Sequence, residues 1–124
     1  MTIFGRTVVG AALLLASGTA LAIPATTFLA KADALMAKGP LALFSSDVGL
    51  LKTEASHAGT ELKAERLALL AQHKPTAYCP PAKSSISSDE LIKSMHRIPA
   101  PELAKMQLKD AMRRVLEQKY PCPR

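Results

Sequence analysis

The sequence predicts an all-α fold, a small helical domain of about four to five helices with one intrachain disulfide, behind a cleaved export signal. Apolar residues recur at spacings of three and four in several segments, and no segment alternates with period two for more than a few residues. The two cysteines lie beside helical segments of a chain that begins like an exported protein. Residues 23–124 have a common size for one domain, so we expect a single helical domain there.

Residues 1–22 have the three parts of a cleaved signal peptide. A short start with one positive charge precedes the apolar run Thr7–Leu15, and the segment ends in the small-residue motif Ala20-Leu21-Ala22. A membrane anchor is the alternative, but a spanning helix needs about 20 apolar residues and Ser17-Gly18-Thr19 interrupts this run. We therefore expect cleavage between Ala22 and Ile23, which leaves a soluble periplasmic chain without a stable membrane anchor.

The first helix and the turn after it are marked by capping residues. Thr26 or Thr27 can cap a helix that runs to about Lys38, and Gly39 is its stop. The proline that follows suits the first position of a new turn over residues 40–44. The predicted apolar face of this helix consists of Leu29, Ala32, Leu35 and Met36.

The longest predicted helix starts at the cap Ser45-Ser46-Asp47 and runs to about His73. At about 1.5 Å per residue it is near 40 Å long, whereas a domain of this size is about 30 Å across. We expect either a kink at Gly59 or an end that projects and is covered by a second copy. One apolar stripe, interrupted only at Glu65, consists of Val48, Leu51, Ala55, Ala58, Leu62 and Leu69.

Two loops and two helices complete the predicted domain. Residues 74–85 form a proline-marked loop, and Ser87 with Glu90 has the capping-box spacing of a short helix that ends near Arg97. Residues 98–106 form a second proline-marked loop. The last helix spans about residues 107–119, and its apolar face consists of Leu108, Ala111, Met112, Val115 and Leu116.

The two cysteines are most simply an intrachain disulfide. Cys79 lies in the first of these loops and Cys122 just past the last helix, in a chain with an export signal. The alternatives are a redox couple, which normally has C-x-x-C spacing, and bonds between two chains. An intrachain bond that closes a loop of this size stabilises a domain by about 4 kcal/mol.

The charge of the mature chain favours anionic partners. Without Arg6 the chain keeps 15 basic and 10 acidic residues, which makes its net charge +5. Cell-wall polymer, lipid headgroups and acidic protein surfaces are such partners. Nucleic acid is excluded by export and by the four scattered aromatic residues of the mature chain, which cannot form a stacking platform. Five basic residues are either a candidate patch for an anionic partner or the solvated face of an amphipathic helix: Lys105, Lys109, Arg113, Arg114 and Lys119.

The sequence predicts no enzyme, and neither a metal nor a cofactor is expected. His57, Glu61 and Glu54 share one face of the long helix, but zinc needs three or four ligands with supporting hydrogen bonds, so we interpret them as a solvated face. We interpret His73 and His96 as surface residues near helix ends. The serines cluster at caps and loops, and none lies in a nucleophile-elbow pattern.

Five segments, in this order and spacing, resemble the Rap/Tai-type immunity protein family over about residues 26–123. They are Lys38-Gly39-Pro40-Leu41-Ala42-Leu43-Phe44-Ser45-Ser46-Asp47, Cys79-Pro80-Pro81, Ser88-Asp89-Glu90-Leu91, Met106-Gln107-Leu108-Lys109 and Tyr120-Pro121-Cys122-Pro123. The resemblance implies a small helical periplasmic domain that neutralises a peptidoglycan amidase delivered by type VI secretion. It also implies a homodimer, which agrees with the overlong helix, and a structural role for both cysteines.

These features lead to two hypotheses of function. The first is a non-enzymatic periplasmic inhibitor that occludes an amidase, and the second is an envelope binding or structural module that engages anionic cell-wall or protein surfaces. A proline-stiffened loop loses less entropy on binding, so candidate partner-binding residues lie in the second loop. They are Pro99, Pro101, Glu102 and Lys105, and the loop around Cys79 is the other candidate.

Overall fold

The computed structural model describes residues 22–124; the predicted signal segment before Ala22 lies outside the described residues. Within residues 22–124 the chain forms α-helices, one 3-10 helix and no β-strand, which confirms the predicted all-α class with its disulfide. The elements in chain order are α1 (Ala25–Lys38), a 3-10 turn (Gly39–Phe44), α2 (Ser46–Ala71), α3 (Ser88–His96), α4 (Ala100–Leu103) and α5 (Leu108–Lys119).

One hydrophobic core joins these helices. α2 packs mainly on α5, α1 packs on both, and α3 lies against α1 and α5. The predicted stripe of α2 is confirmed, since Leu51, Ala58 and Leu62 are buried. The face of α5 is confirmed too, with Leu116 half-buried. Its other four members are buried: Leu108, Ala111, Met112 and Val115.

α1 starts one residue before the earlier of the two threonines proposed as its cap. Pro24 is the N-cap, and it forms an isolated antiparallel bridge with Gln107. This bridge lets the backbone N–H of Ala25 donate to the carbonyl of Met106 at 3.0 Å. A long-range carbonyl thus satisfies the first helical N–H, so a threonine hydroxyl is not needed. Met36, predicted on the buried face of this helix, is 54% exposed.

α2 is a continuous helix that is not interrupted at Gly59. A Cβ placed there would lie 3.8 Å from Cε of Met112, an ordinary contact across the interface between α2 and α5. The helix begins at the predicted cap, since the Ser45 hydroxyl accepts from the Asp47 N–H at 3.3 Å. It ends at Ala71, two residues before the predicted end, and His73 takes a positive φ of 56°. The second explanation of its length, a covering copy, stays a prediction.

The second half follows the predicted order, with one addition. Ser87 caps α3 and accepts from the Glu90 N–H at 3.2 Å, but the Glu90 carboxylate binds Lys119 instead of closing the capping box. The segment predicted as a second loop contains the short helix α4, because prolines are tolerated in a first helical turn. Asp110 accepts from the backbone N–H of Gln107 at 3.1 Å and so caps α5.

No single helix within residues 22–124 is long and apolar enough to cross a membrane. The bent pair Ala25–Phe44 and Ser46–Ala71, with 112° between its parts, meets the criterion by length and composition only.

Candidate partner-binding surfaces

The 3-10 turn between α1 and α2 presents the most exposed large apolar side chains of residues 22–124. Leu41, Leu43 and Phe44, which we call the apolar turn, have exposed fractions of 70, 79 and 88%. Apolar groups left in water at this density on a folded domain are typical of binding surfaces. The apolar turn lies within the first segment of the family resemblance, residues 38–47.

The backbone at both ends of this segment fixes its direction. Gly39 has a φ of 60° and a ψ of −136°, a conformation that residues with a Cβ rarely adopt. At the other end, the N–H of Ser45 donates to the carbonyl of Ala42 at 2.9 Å, and the same residue caps α2. The apolar turn is therefore held by local hydrogen bonds at an abrupt change of chain direction.

A groove of about 380 Å³ opens between α1, α2 and α3. Met36 and Val48, which flank the 3-10 turn in the chain, both line it, so apolar surface continues from the turn region into the groove. Its only charged lining residues are Lys52 and Asp89. The other apolar residues that line it are Phe28, Ala32, Leu35, Leu51, Ala55, Leu91 and Ile92.

A second exposed apolar face lies on the C-terminal half of α2. Leu67 and Leu70 are each 48% exposed, and Ala64, Ala68 and Ala71 beside them on this helix are exposed as well. The sequence predicted that one end of this overlong helix could be covered by a second copy, and this exposed face lies at its C-terminal end.

The four residues predicted to bind a partner are all exposed, but they surround an anchored segment. Pro99 is the N-cap of α4 and Pro101 lies in its first turn. Glu102 accepts from the Arg114 guanidinium at 3.0 Å, while Lys105 is in none of the ion pairs found within residues 22–124. The buried Leu103 holds α4 in the core, so the segment is a rigid edge with two polar tips.

The disulfide between Cys79 and Cys122 is present as predicted, with Cα atoms 4.8 Å apart. It fastens the loop after α2 to the chain end after α5, and the N–H of Cys79 also donates to the carbonyl of Tyr120 at 2.8 Å. The buried Tyr78 attaches the same loop to α2, because its hydroxyl donates to the Leu62 carbonyl at 3.2 Å. Burial raises the pKa of that phenol.

Two of the three residues weighed as a metal set, His57 and Glu61, form part of an ion-pair network instead. Nε2 of His57 and Oε1 of Glu61 are 2.8 Å apart, and Oε2 of Glu61 lies 3.2 Å from the ammonium of Lys109. Lys109 also binds Glu65, which accepts from Arg113 at 3.1 Å. The Lys109 ammonium holds the pKa of Glu65 below its ordinary value, and Glu65 in turn raises the pKa of Lys109.

No group of three or more potential metal ligands is found within residues 22–124. The other two histidines lie where the sequence placed them, near helix ends and exposed. Nε2 of His96 lies 2.8 Å from Oδ1 of Asp33 and so connects α3 with α1.

The basic residues of α5 do not form an open anionic-partner patch. Lys109 and Arg113 bind the acidic residues of α2, and Arg114 binds Glu102. Lys119 binds Glu90, which raises the pKa of that lysine. Four of the five residues of the predicted patch are thus neutralised locally, and only Lys105 makes no ion pair among those found in residues 22–124.

The sequence predicted a turn over residues 40–44 and included Leu41-Ala42-Leu43-Phe44 in the family pattern, but it did not identify these residues as a binding surface. The signal that could have identified them as a surface was the placement of four apolar residues in a short turn, where they cannot all face one core.

In comparisons with protein-family models, curated proteins and solved structures, nothing matches this chain.

Proposed function

We propose that the mature chain is a periplasmic immunity-type protein that binds a type VI-secreted peptidoglycan amidase and occludes its active-site cleft. The observation that carries this proposal is the apolar turn, whose three side chains are 70 to 88% exposed in a disulfide-fastened domain. Buried apolar anchors at the centre of an interface supply much of the energy of protein binding. The turn lies in residues 38–47, the longest of the five segments that resemble the family.

The site supports inhibition by steric occlusion. Gly39 and the Ser45 cap hold the turn before a partner arrives, so little conformational entropy is lost on binding. The adjoining groove of about 380 Å³ can accept an apolar side chain from the partner. The rigid edge at Pro99, Pro101, Glu102 and Lys105 remains a candidate for a second, polar contact.

We also propose a homodimer, which the exposed face at Leu67 and Leu70 supports. In an isologous dimer the same patch meets itself across a two-fold axis, and an apolar stripe on a long helix suits that arrangement. This face lies on the opposite half of α2 from the apolar turn, so the turn stays free in such a dimer.

The envelope-module hypothesis keeps a weaker basis. Its motivation was the excess of basic residues, yet four of the five on or near α5 bind acidic neighbours. An electrostatic module would need those cations free for an anionic polymer.

Co-expression in the periplasm tests the proposal. The amidase would be the one encoded beside this chain, and this protein would be produced with it, with and without its export signal. Cell lysis should stop only when both proteins are exported, and the purified protein should inhibit peptidoglycan hydrolysis by the purified amidase. Continued lysis, together with undiminished hydrolysis in vitro, would refute protection.

A further inference from the structure

The first residues of the described chain are fixed against the start of α5. The N–H of Leu108 donates to the Ile23 carbonyl at 2.9 Å, and the bridge between Pro24 and Gln107 continues this pairing. The Ile23 side chain is half-buried and packs against the core. The residue predicted to become the first of the mature chain therefore has a defined place in the fold.

That place is the wall of a groove between α2 and α5. Ala22 and Ile23 line this groove, which has a volume of about 450 Å³. Cleavage between these two residues would create an amino group on a residue that lines the groove. The charged or titratable side chains that line it are Glu54, His57 and Glu61 from α2, and Lys109, Asp110 and Arg113 from α5.

The groove is lined by one more carboxylate than lysine and arginine side chains. Its three carboxylates face two such cations, and Lys109 and Arg113 already bind Glu61 and Asp110, respectively. Glu54 is half-buried and belongs to none of the ion pairs found in residues 22–124. A positive group placed beside this unpaired carboxylate would be stabilised by its opposite charge.

We propose that this groove is the binding site of the chain's own new α-ammonium group, which pairs with Glu54 after signal cleavage. Hydrolysis adds water across the Ala22–Ile23 peptide bond, so that residue 22 leaves with the carboxylate and the freed nitrogen of Ile23 takes up a proton. An α-amine has an ordinary pKa of about 7.7 to 8.0 and is mostly charged at neutral pH. Maturation thereby supplies the cation that the groove lacks.

This inference rests on the cleavage position that belongs to the proposed export, and it goes beyond inhibition. Its consequence is that the mature amino terminus is a structural element instead of a free end. A charge-assisted hydrogen bond from the ammonium to Glu54 raises the pKa of the amine, and blocking the amine removes that contact.

The test uses the mature chain with Ile23 as its first residue. The pKa of its α-amine is measured by NMR of the ¹³C-methylated amine, in the wild type and in two variants. We expect a pKa clearly above about 8 in the wild type and a return to about 7.7 to 8.0 in Glu54→Gln. The matched control is Glu117→Gln, since Glu117 lies on α5 outside the groove and also makes none of the ion pairs found in residues 22–124. The control should keep the raised pKa.

Acetylation of the amine provides a second readout. It should lower the urea midpoint of the wild type and leave the midpoint of Glu54→Gln unchanged. An amine that titrates at about 7.7 to 8.0 in the wild type, or equally in Glu54→Gln, overturns the proposal.

The first residue of the exported protein, read by mass spectrometry, separates this inference from the proposed function. A first residue other than Ile23 overturns the inference, whatever the protein does to an amidase. A raised amine pKa in a chain that fails to protect cells supports the groove and counts against immunity alone.

Discussion

The middle of α2 and the 3-10 turn before it use their side chains in opposite ways. In the middle of α2, Glu61 and Glu65 bind Lys109 and Arg113 across the interface with α5. We call these four residues the α2–α5 seam. In the 3-10 turn, the apolar turn leaves three large apolar side chains in water. The charged groups are thus occupied within the fold, while apolar groups remain available to a partner.

This difference shows where to look for binding in a basic protein. The net charge of the mature chain suggested an electrostatic surface, but pairing in the seam neutralises much of α5. The apolar turn, in contrast, makes little use of its side chains for stability. The comparison predicts that changes at the disulfide or in the seam lower the free energy of unfolding, whereas changes at the apolar turn lower the affinity for a partner.

The largest expected effect follows from removal of the disulfide, which joins the loop after α2 to the chain end after α5. The double variant Cys79→Ser/Cys122→Ser should lower the free energy of unfolding by about 4 kcal/mol, because the unfolded chain regains the entropy of an open loop. Urea unfolding followed by circular dichroism measures this loss. The wild type in reductant should show the same loss, and the variant should not respond to reductant. An unchanged urea midpoint would show that the disulfide does not stabilise the domain.

The next effect concerns the backbone of the 3-10 turn. Gly39→Ala should destabilise the protein by about 1 to 3 kcal/mol through backbone strain at a φ of 60°. Steric clash adds nothing to this effect, because a Cβ there has no heavy atom within 4 Å. Gly49→Ala is the matched control, because that glycine lies inside α2 with equally open space. It should stabilise by about 0.5 to 1 kcal/mol. If both variants shift the urea midpoint in the same direction, the strain at Gly39 is not what fixes the turn.

A smaller effect is expected from the seam. Glu65→Gln should lower stability by about 0.5 to 1 kcal/mol at neutral pH, because its ion pairs are half-exposed. The lowered pKa of Glu65 means that its contribution is full above 4.5, the ordinary value, and is lost as the pH falls through the lower folded value. Lys109 has a raised pKa, so its contribution is full below 10.5 and is lost as the pH rises above the folded value.

Urea midpoints across pH check this prediction. The difference between wild type and Glu65→Gln should disappear at acidic pH, and Glu117→Gln should show no comparable pH-dependent difference. A difference that persists at pH values where all carboxylates are protonated would exclude the ion pairs as its cause.

The elements that depend on neighbouring residues were predictable from the sequence. The caps at Ser45 and Ser87, the stop at Gly39 and the apolar stripe of α2 are all local patterns, and the structure confirms them. The start of α1 was not predictable, because Pro24 becomes a cap only through pairing with Gln107 far along the chain.

The candidate surfaces were predicted less well, for the same physical reason. Whether Lys109 is free or bound depends on Glu65, 44 positions away, and spacing within one helix cannot show that. The disulfide could be predicted from the sequence because the chain has only two cysteines. The exposure of Phe44 depends on how α1 and α2 pack, which composition does not reveal.

The proposed binding role of the apolar turn is tested most directly by affinity for the amidase against which the co-expression experiment would show protection. Leu43→Ser/Phe44→Ser should weaken binding at least about 100-fold in isothermal titration, since two large apolar anchors contribute about 3 kcal/mol or more. Its urea midpoint should stay within error of the wild type, because both side chains are almost fully exposed. Leu67→Ser/Leu70→Ser is the control at the other exposed face and should keep wild-type affinity. Undiminished affinity in the turn variant would contradict the account.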